Sequence, residues 1–186
     1  METTAMQIIR LLKETKREGI ENLIEWMEEN GFFFAPCSTQ FHLANAGGLA
    51  EHSLNVYKKA HELALAWHPS VKDVPIESVV ICTLLHDLGK CGQFGKPEYT
   101  INLLKSGKVS ESKPYERNKE LLPVDHEVRS VAIASRFIEL TEEEQHAILN
   151  HNGLYGAFKY SLQGNETPLQ MIVHFADMWA SRVVEK

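Results

Sequence analysis

The sequence predicts an all-α protein that folds as one domain. Apolar residues recur at spacings of three and four along most of the chain, beginning with Ile8, Ile9, Leu11 and Leu12. No segment alternates apolar and polar residues for long enough to make a convincing strand. The 186 residues, 44% of them hydrophobic, are enough to build one sizeable core. We therefore expect a single helical bundle over residues 1–186.

Two helices are predicted within residues 1–45. The first carries the apolar spacing just described, and the second runs from Ile20 until Gly31 ends it. The stretch that follows, FFFAPCSTQFH at 32–42, is apolar but has no helical period, so we expect irregular chain there.

The next two helices are the predicted centre of the bundle. The segment LAEHSLNVYKKAHELALAWH (49–68) begins after a glycine pair and stops at Pro69. Pro75 suits the first turn of the following helix, PIESVVICTLLHDLG (75–89). Because the body of this second helix is apolar on every side, it should be buried in the middle of the fold.

Residues 92–124 lose all periodicity and are rich in Gly, Pro, Lys and Tyr. They predict a long loop, with a short hairpin around Ser106-Gly107. The loop starts and ends next to histidines and acidic residues, and its charges are mixed. Two interpretations therefore stay open: a lid that holds phosphates and stacks a base, or an ordinary solvated loop.

Helical pattern resumes towards the C-terminus. Helices are predicted at 124–139 and at 141–151, where Thr141 and Glu144 have capping-box spacing. A second loop follows at 152–166. Thr167-Pro168 then supplies an N-cap and a first-turn proline for a last helix at 169–185.

Composition excludes several classes of protein. A formal net charge of −6 argues against broad, charge-driven binding of nucleic acid and favours small substrates. No run approaches the roughly 18 apolar residues of a membrane span. The N-terminus lacks the pattern of a secretory signal, so a cytoplasmic location is expected, with the three cysteines reduced. Nine histidines in 186 residues indicate metal binding.

The dipeptide His86-Asp87, at the end of the predicted central helix, is the strongest local signal. A buried carboxylate pays heavily for its lost hydration unless a partner compensates it, and a metal cation is such a partner. Taken alone, the pair is more often a capping aspartate beside a surface histidine. His52 and Asp177 change this balance, because each lies mid-helix among residues predicted to be buried. These four side chains can hold one divalent ion, and His126 and His151 can help to hold a second nearby.

The order of these residues, His, His-Asp, His, His, Asp, resembles the HD superfamily of metal-dependent phosphohydrolases over residues 45–182. The segments GGLAEH, LLHDLGK, AILNHNGLYG and IVHFADMWAS are most similar to the HD domain of bacterial 3′-to-5′ exoribonucleases that carry an OB-fold. The resemblance implies an HD-type bundle with one or two divalent ions (Mn, Fe, Zn, Mg, Ni or Co). The ligands it implies are His52, His86, Asp87, His126, His151 and Asp177.

Two departures limit this resemblance. His151-Asn152-Gly153 stands where the family often has His-His-Gly, and residues 1–45 predict helices instead of an OB-fold. The likeness therefore does not extend to the arrangement of the second metal site or to processive degradation of RNA.

Six further side chains are candidates for substrate binding. In the family, the lysine at the position of Lys90 faces the phosphate; the alternative is a lysine that favours a helix end. Arg129 is equally compatible with a salt bridge, and Tyr155 with closing the core. The full set is Lys90, Lys105, Lys113, Arg117, Arg129 and Tyr155.

These residues predict hydrolysis of a phosphate ester or anhydride by a metal-activated water, with Asp87 and Lys90 as catalytic residues. The expected substrate is a small anionic nucleotide or a short single-stranded oligonucleotide. Two alternatives remain: a di-iron oxygenase of the HD type, since histidine and carboxylate suit iron equally, and a nucleotide-binding HD protein without activity. The sequence does not fix the oligomeric state.

Overall fold

The computed structural model describes residues 2–71 and 73–186, and helices dominate it. The all-α fold class is confirmed, with one small hairpin as the exception. The helices are α1 (Thr4–Glu14), α2 (Ile20–Glu29), α3 (Gly48–Ala66), α4 (Ile76–Leu85), α5 (His126–Ala134), α6 (Glu142–Leu149), α7 (Lys159–Leu162) and α8 (Pro168–Trp179). The strands are β1 (Tyr99–Ile101) and β2 (Tyr115–Arg117). Within the described ranges, no helix is both long and apolar enough to cross a bilayer.

Helix α4 is the centre of the fold, as its apolar sequence predicts. Every residue from Ser78 to Leu85 is buried, and the helix packs against α1, α3, α6 and α8. Helix α3 also packs along α8. The three helices α3, α4 and α8 thus run side by side, which brings residues from distant parts of the sequence to one place.

Helix α4 ends earlier than the predicted boundary at residue 89. His86 is its C-cap, and Asp87 leaves the helical conformation with φ −104° and ψ 12°. A 3₁₀ turn, Leu88–Cys91, follows and packs on α5, where the Gly89 amide donates to Ser130 Oγ at 2.8 Å. A Cβ on Gly89 would lie 2.4 Å from the His126 carbonyl oxygen, so only glycine permits this approach. The turn therefore points Asp87 towards α5.

An ion pair between the half-buried Arg17 and the buried Glu144 ties the N-terminal helices to the bundle. Arg17, between α1 and α2, donates to both carboxylate oxygens of Glu144, at 2.9 and 2.7 Å. Ser78 Oγ and the Thr141 amide also donate to this carboxylate, at 2.8 and 2.9 Å. The predicted capping box of α6 is present, and its glutamate has a second role in holding Arg17.

We expect Glu144→Ala to lower the free energy of unfolding by about 3–5 kcal/mol, since it leaves Arg17 and Ser78 without their partner. Burial raises the pKa of Glu144, but the hydrogen bonds from Arg17 outweigh it and hold this pKa below its ordinary value. The stabilisation should therefore be complete above a pH of about 4.3 and disappear as the pH falls through the lower pKa of the folded protein. Urea denaturation measures the free energy of unfolding of both proteins, and the difference between wild type and Glu144→Ala should be smaller at pH 3 than at pH 7. The exposed neighbour Glu143→Ala is the control and should change little.

The predicted hairpin is present within 92–124. Tyr99 pairs with Arg117 and Ile101 with Tyr115, and Gly107 takes a positive φ of 80° at the tip. The hairpin is fixed to the irregular N-terminal segment, because the Tyr115 amide donates to the Thr39 carbonyl at 3.2 Å.

The second predicted loop, 152–166, includes two short helical elements. It contains a 3₁₀ turn, Gly153–Tyr155, and the short helix α7, which buries Leu162. The last helix also changes form: after α8 the chain makes a π-helical turn, Ala180–Val184, before Glu185. This turn carries Glu185 back towards α3.

Candidate metal centre

Asp87 lies between two pairs of histidines. Its Oδ2 is 3.5 Å from His52 Nε2 and 3.4 Å from His86 Nε2. Its Oδ1 is 3.1 Å from His126 Nε2 and 3.5 Å from His151 Nε2. One carboxylate thus faces imidazoles from α3 and α4 with one oxygen, and imidazoles from the ends of α5 and α6 with the other.

Asp177 completes the set from α8. Its Oδ1 is 3.2 Å from His52 Nε2, and His52 Nε2 is 3.3 Å from His86 Nε2. Among the described residues, three groups each have potential ligand atoms within 4.8 Å of one another, and two of these groups lie in the centre: His52, His86 and Asp177, and His86, Asp87 and His151. The third group joins His52 to Cys37 and His42. The structure therefore brings all six side chains singled out in the sequence to one centre.

Hydrogen bonds fix the proton on the outer nitrogen of three of the four imidazoles. A backbone carbonyl or a carboxylate accepts at the Nδ1 of His52, His86 and His151, so that nitrogen must donate and Nε2 presents a lone pair inwards. The acceptors are the Glu185 carboxylate for His52 (2.9 Å), the Thr83 carbonyl for His86 (2.8 Å) and the Ile148 carbonyl for His151 (2.8 Å). His126 Nδ1 lies 3.2 Å from Glu127 Oε2.

The atoms that face the centre are almost all acceptors. The imidazole lone pairs meet the oxygens of Asp87 and Asp177, while the donors are Lys90 Nζ, 2.7 Å from Asp87 Oδ2, and Asn152 Nδ2, 3.1 Å from His151 Nε2. The buried Asp87 Oδ1 has no hydrogen-bond partner among the described residues. Leaving a buried anionic oxygen unsatisfied is costly, whereas a divalent cation satisfies it. Nitrogen and carboxylate ligands fit Mn, Fe, Co, Ni or Zn.

The charge states of the side chains also suit a cation. Burial raises the pKa of Asp87, but the charge of Lys90 outweighs it and helps to hold this pKa well below its usual range. Burial lowers the pKa of His151 to about 3. At neutral pH the carboxylate is therefore ionised and this imidazole neutral, which is the state in which both ligate metal.

The pKa of His52 shifts in the opposite direction from that of His151. Burial lowers the pKa of His52, yet the hydrogen bonds to the Asp177 and Glu185 carboxylates outweigh burial and raise this pKa well above the ordinary value. The surroundings of His52 thus favour a positive charge, and a bound cation supplies that charge in place of a proton.

Glu185 and Asn55 are functional candidates that sequence reasoning missed. Glu185 accepts from His52 Nδ1 at 2.9 Å and from Asn55 Nδ2 at 3.0 Å. A carboxylate behind a ligating histidine orients the ring and makes it a better ligand. No local pattern marks Glu185, because it approaches His52 across more than 130 positions of sequence through the turn after α8.

We expect Glu185→Gln to weaken metal binding by about 10- to 100-fold, the usual cost of losing such a partner. Isothermal titration of the metal-stripped protein with Mn²⁺ measures the change. Glu51→Gln, an exposed residue in the first turn of α3, is the matched control. Equal affinities for the two variants would show that Glu185 does not support His52.

Asn152, the predicted departure from the family pattern, lies within the centre. Its Nδ2 is 2.7 Å from Glu127 Oε1 as well as 3.1 Å from His151 Nε2. Asn152 therefore links the Glu127 carboxylate, which lies next to His126, to the His151 ring.

Two further histidines lie next to the centre. His174 donates from Nδ1 to the His151 carbonyl at 2.8 Å, and its ring fills the space beside Gly153, where a Cβ would come within 2.6 Å of it. His42 Nε2 lies 3.5 Å from Cys37 Sγ, and the centre of the His42 ring is 5.1 Å from that of His52.

The next four substrate-binding candidates are exposed, and two of them contact residues outside the set of six. Lys105 and Lys113 are exposed on the hairpin. Arg117 pairs with Glu98 at 2.9 Å. Tyr155 is 76% exposed, and the guanidinium of Arg182 lies over its ring.

Arg129 is buried and bonded within the fold. Its guanidinium donates to Gln93 Oε1 at 3.0 Å and to the Leu122 carbonyl at 2.9 Å. This arrangement favours the structural interpretation of Arg129 over phosphate binding, because its donors hold the two ends of the loop 92–124.

Comparison with known proteins assigns a family to this arrangement. The sequence model of the HD domain matches residues 49–180, a range that contains all six converging side chains. Neither the curated proteins nor the solved structures gave a significant match. Glu185 and the segment 30–42 lie outside the matched range.

Proposed function

The chain belongs to the HD domain family, and from this membership and the centre around Asp87 we propose that it is a metal-dependent phosphohydrolase. Its proposed substrate is a nucleotide or a short oligonucleotide. The observation that carries the proposal is the position of Asp87. This buried carboxylate lies between two pairs of imidazole Nε2 atoms, and its Oδ1 has no hydrogen-bond partner among the described residues.

We infer two sets of metal ligands from the distances between the six side chains. His52, His86, Asp87 and Asp177 would hold one ion, and Asp87, His126 and His151 would hold a second. When bound, divalent ions at such a site lower the pKa of water and neutralise the charge on phosphoryl oxygens. Asp87, ionised at neutral pH, would be shared by both sets.

Lys90 is the side chain best placed to bind phosphate. Burial lowers its pKa, but the charge of Asp87 outweighs burial and raises this pKa well above the ordinary value, so the ammonium stays charged. It lies 2.7 Å from Asp87 Oδ2, at the edge of the centre. An ammonium in this position would attract a phosphoryl oxygen and stabilise the charge that develops on it.

Cys37 is a poor candidate for a nucleophile. Its Sγ lies 3.9 Å from Lys90 Nζ, but burial raises the pKa of the thiol, so it stays protonated at neutral pH. Water, not a side chain, is therefore the attacking group that we propose.

The test is a screen of Mn²⁺-loaded protein against nucleotides and short oligonucleotides in water enriched in ¹⁸O. We expect hydrolysis with one ¹⁸O atom incorporated into the phosphate product. Iron-dependent O₂ uptake on a polyol or phosphonate would instead indicate the oxygenase alternative. Nucleotide binding without turnover under any divalent metal would indicate a non-catalytic protein.

A further inference from the structure

A cavity of about 260 Å³ lies next to Lys90. Three parts of the chain line it: the segment from Asn30 to Pro36 after α2, the turn that carries Lys90 and Cys91, and the base of the hairpin from Pro97 to Tyr99 with Tyr115. Hydrogen bonding between Tyr115 and Thr39 holds the hairpin wall against the N-terminal segment. The cavity is therefore fixed by the fold on both sides.

Three of the eleven residues that line this cavity are aromatic. Phe34 contributes a phenyl ring that is 75% exposed, and Tyr99 and Tyr115 are half-buried on the hairpin. Rings that leave one face free are the usual platforms on which bases stack, and this stacking tolerates any base.

Lys90 joins the cavity to the metal centre. It is one of the lining residues, and its Nζ lies 2.7 Å from Asp87 Oδ2. A ligand with a flat ring in the cavity and an anionic group at Lys90 would thus present the anion to the centre. The volume is slightly below the roughly 300–1,000 Å³ of pockets for drug-sized ligands, which suits one heterocyclic ring system.

We propose that this cavity binds the base of the nucleotide substrate, with Phe34 as a stacking residue and the phosphate at Lys90. The inference rests on the proposed function, and it adds a specificity determinant, Phe34, that precedes the range matched by the HD domain, 49–180. One cavity holds one base, so a single nucleoside unit is recognised next to the reacting phosphate.

The test compares the four nucleoside 5′-monophosphates with ribose 5-phosphate, which lacks a base, by isothermal titration. Because stacking tolerates any base, we expect wild-type protein to bind all four nucleotides more tightly than ribose 5-phosphate. Phe34→Ala should weaken nucleotide binding by about 10-fold, within the range for the loss of one stacking ring, and leave ribose 5-phosphate binding unchanged. Phe34→Trp should retain nucleotide binding.

Phe41→Ala is the matched control, because Phe41 is 72% exposed on the same irregular segment but does not line the cavity. It should leave both affinities unchanged. Equal binding of nucleotides and ribose 5-phosphate, or nucleotide binding unaffected by Phe34→Ala, would overturn the base site even if the protein hydrolyses phosphate esters. Selective loss of nucleotide binding in Phe34→Ala without turnover by the wild type would support the base site and remove the proposed hydrolysis.

Discussion

Replacing Asp87 with alanine should abolish both metal binding and hydrolysis while the helical fold is retained. The carboxylate is shared by both proposed ligand sets, and each of its oxygens faces two imidazoles within 3.5 Å. Without it, the four imidazole nitrogens lack the shared carboxylate whose negative charge would balance the charge of the metal ions. We expect turnover to fall on the order of 1,000-fold or more, as for other residues on which a catalytic centre depends.

Three measurements on one preparation check this prediction: metal content by mass spectrometry, turnover, and far-UV circular dichroism. Asp87 lies just beyond the end of α4, so alanine there should not disturb the helix. Asp73→Ala, an exposed aspartate before α4, is the control and should match the wild type. Turnover that survives in Asp87→Ala would reject the site.

Lys90→Ala should reduce kcat by about 100-fold without loss of metal, because removing one preorganised charge from a reaction centre typically has an effect of this size. Metal binding should stay the same or tighten, since one positive charge leaves the neighbourhood of Asp87. Lys96→Ala is the control, because the ammonium of this exposed lysine donates to the Glu120 carbonyl and, within the described residues, contacts none of the six side chains.

The opposite pattern would assign Lys90 another role. If Lys90→Ala lost its metal, the lysine would act by positioning Asp87. An unchanged kcat would mean that Lys90 only stabilises the end of its turn.

The sequence predicted many of the helices because apolar spacing and capping residues, which are properties of neighbouring residues, determine where they form. The uniformly apolar sequence of α4 predicts its burial, and Thr141 with Glu144 predicts the start of α6. The end of α4 could not be predicted in this way. It is set by the packing of Gly89 on α5, a tertiary contact that leaves no periodic signal in residues 75–89.

The candidate site likewise has a part that the sequence predicts, the ligand residues, and a part that depends on the folded structure. The order of His52, His86-Asp87, His126, His151 and Asp177 is a property of the chain, and sequence alone singled it out. The carboxylate behind His52 is not, because Glu185 reaches this histidine only through the turn that follows α8. Arg129 shows the reverse case: its position one turn after His126 fits phosphate binding, but its burial commits it to Gln93 and Leu122.

Anomalous diffraction from crystals grown with Mn²⁺ is the most direct test of the centre. We expect one peak within about 2.0–2.3 Å of the nearest atoms of His52, His86, Asp87 and Asp177. A second peak is expected near His126 and His151, about 3.5–4 Å from the first. Absence of any peak between these side chains at saturating Mn²⁺, or a peak bound only elsewhere on the protein, would contradict the assignment of this cluster as a metal centre.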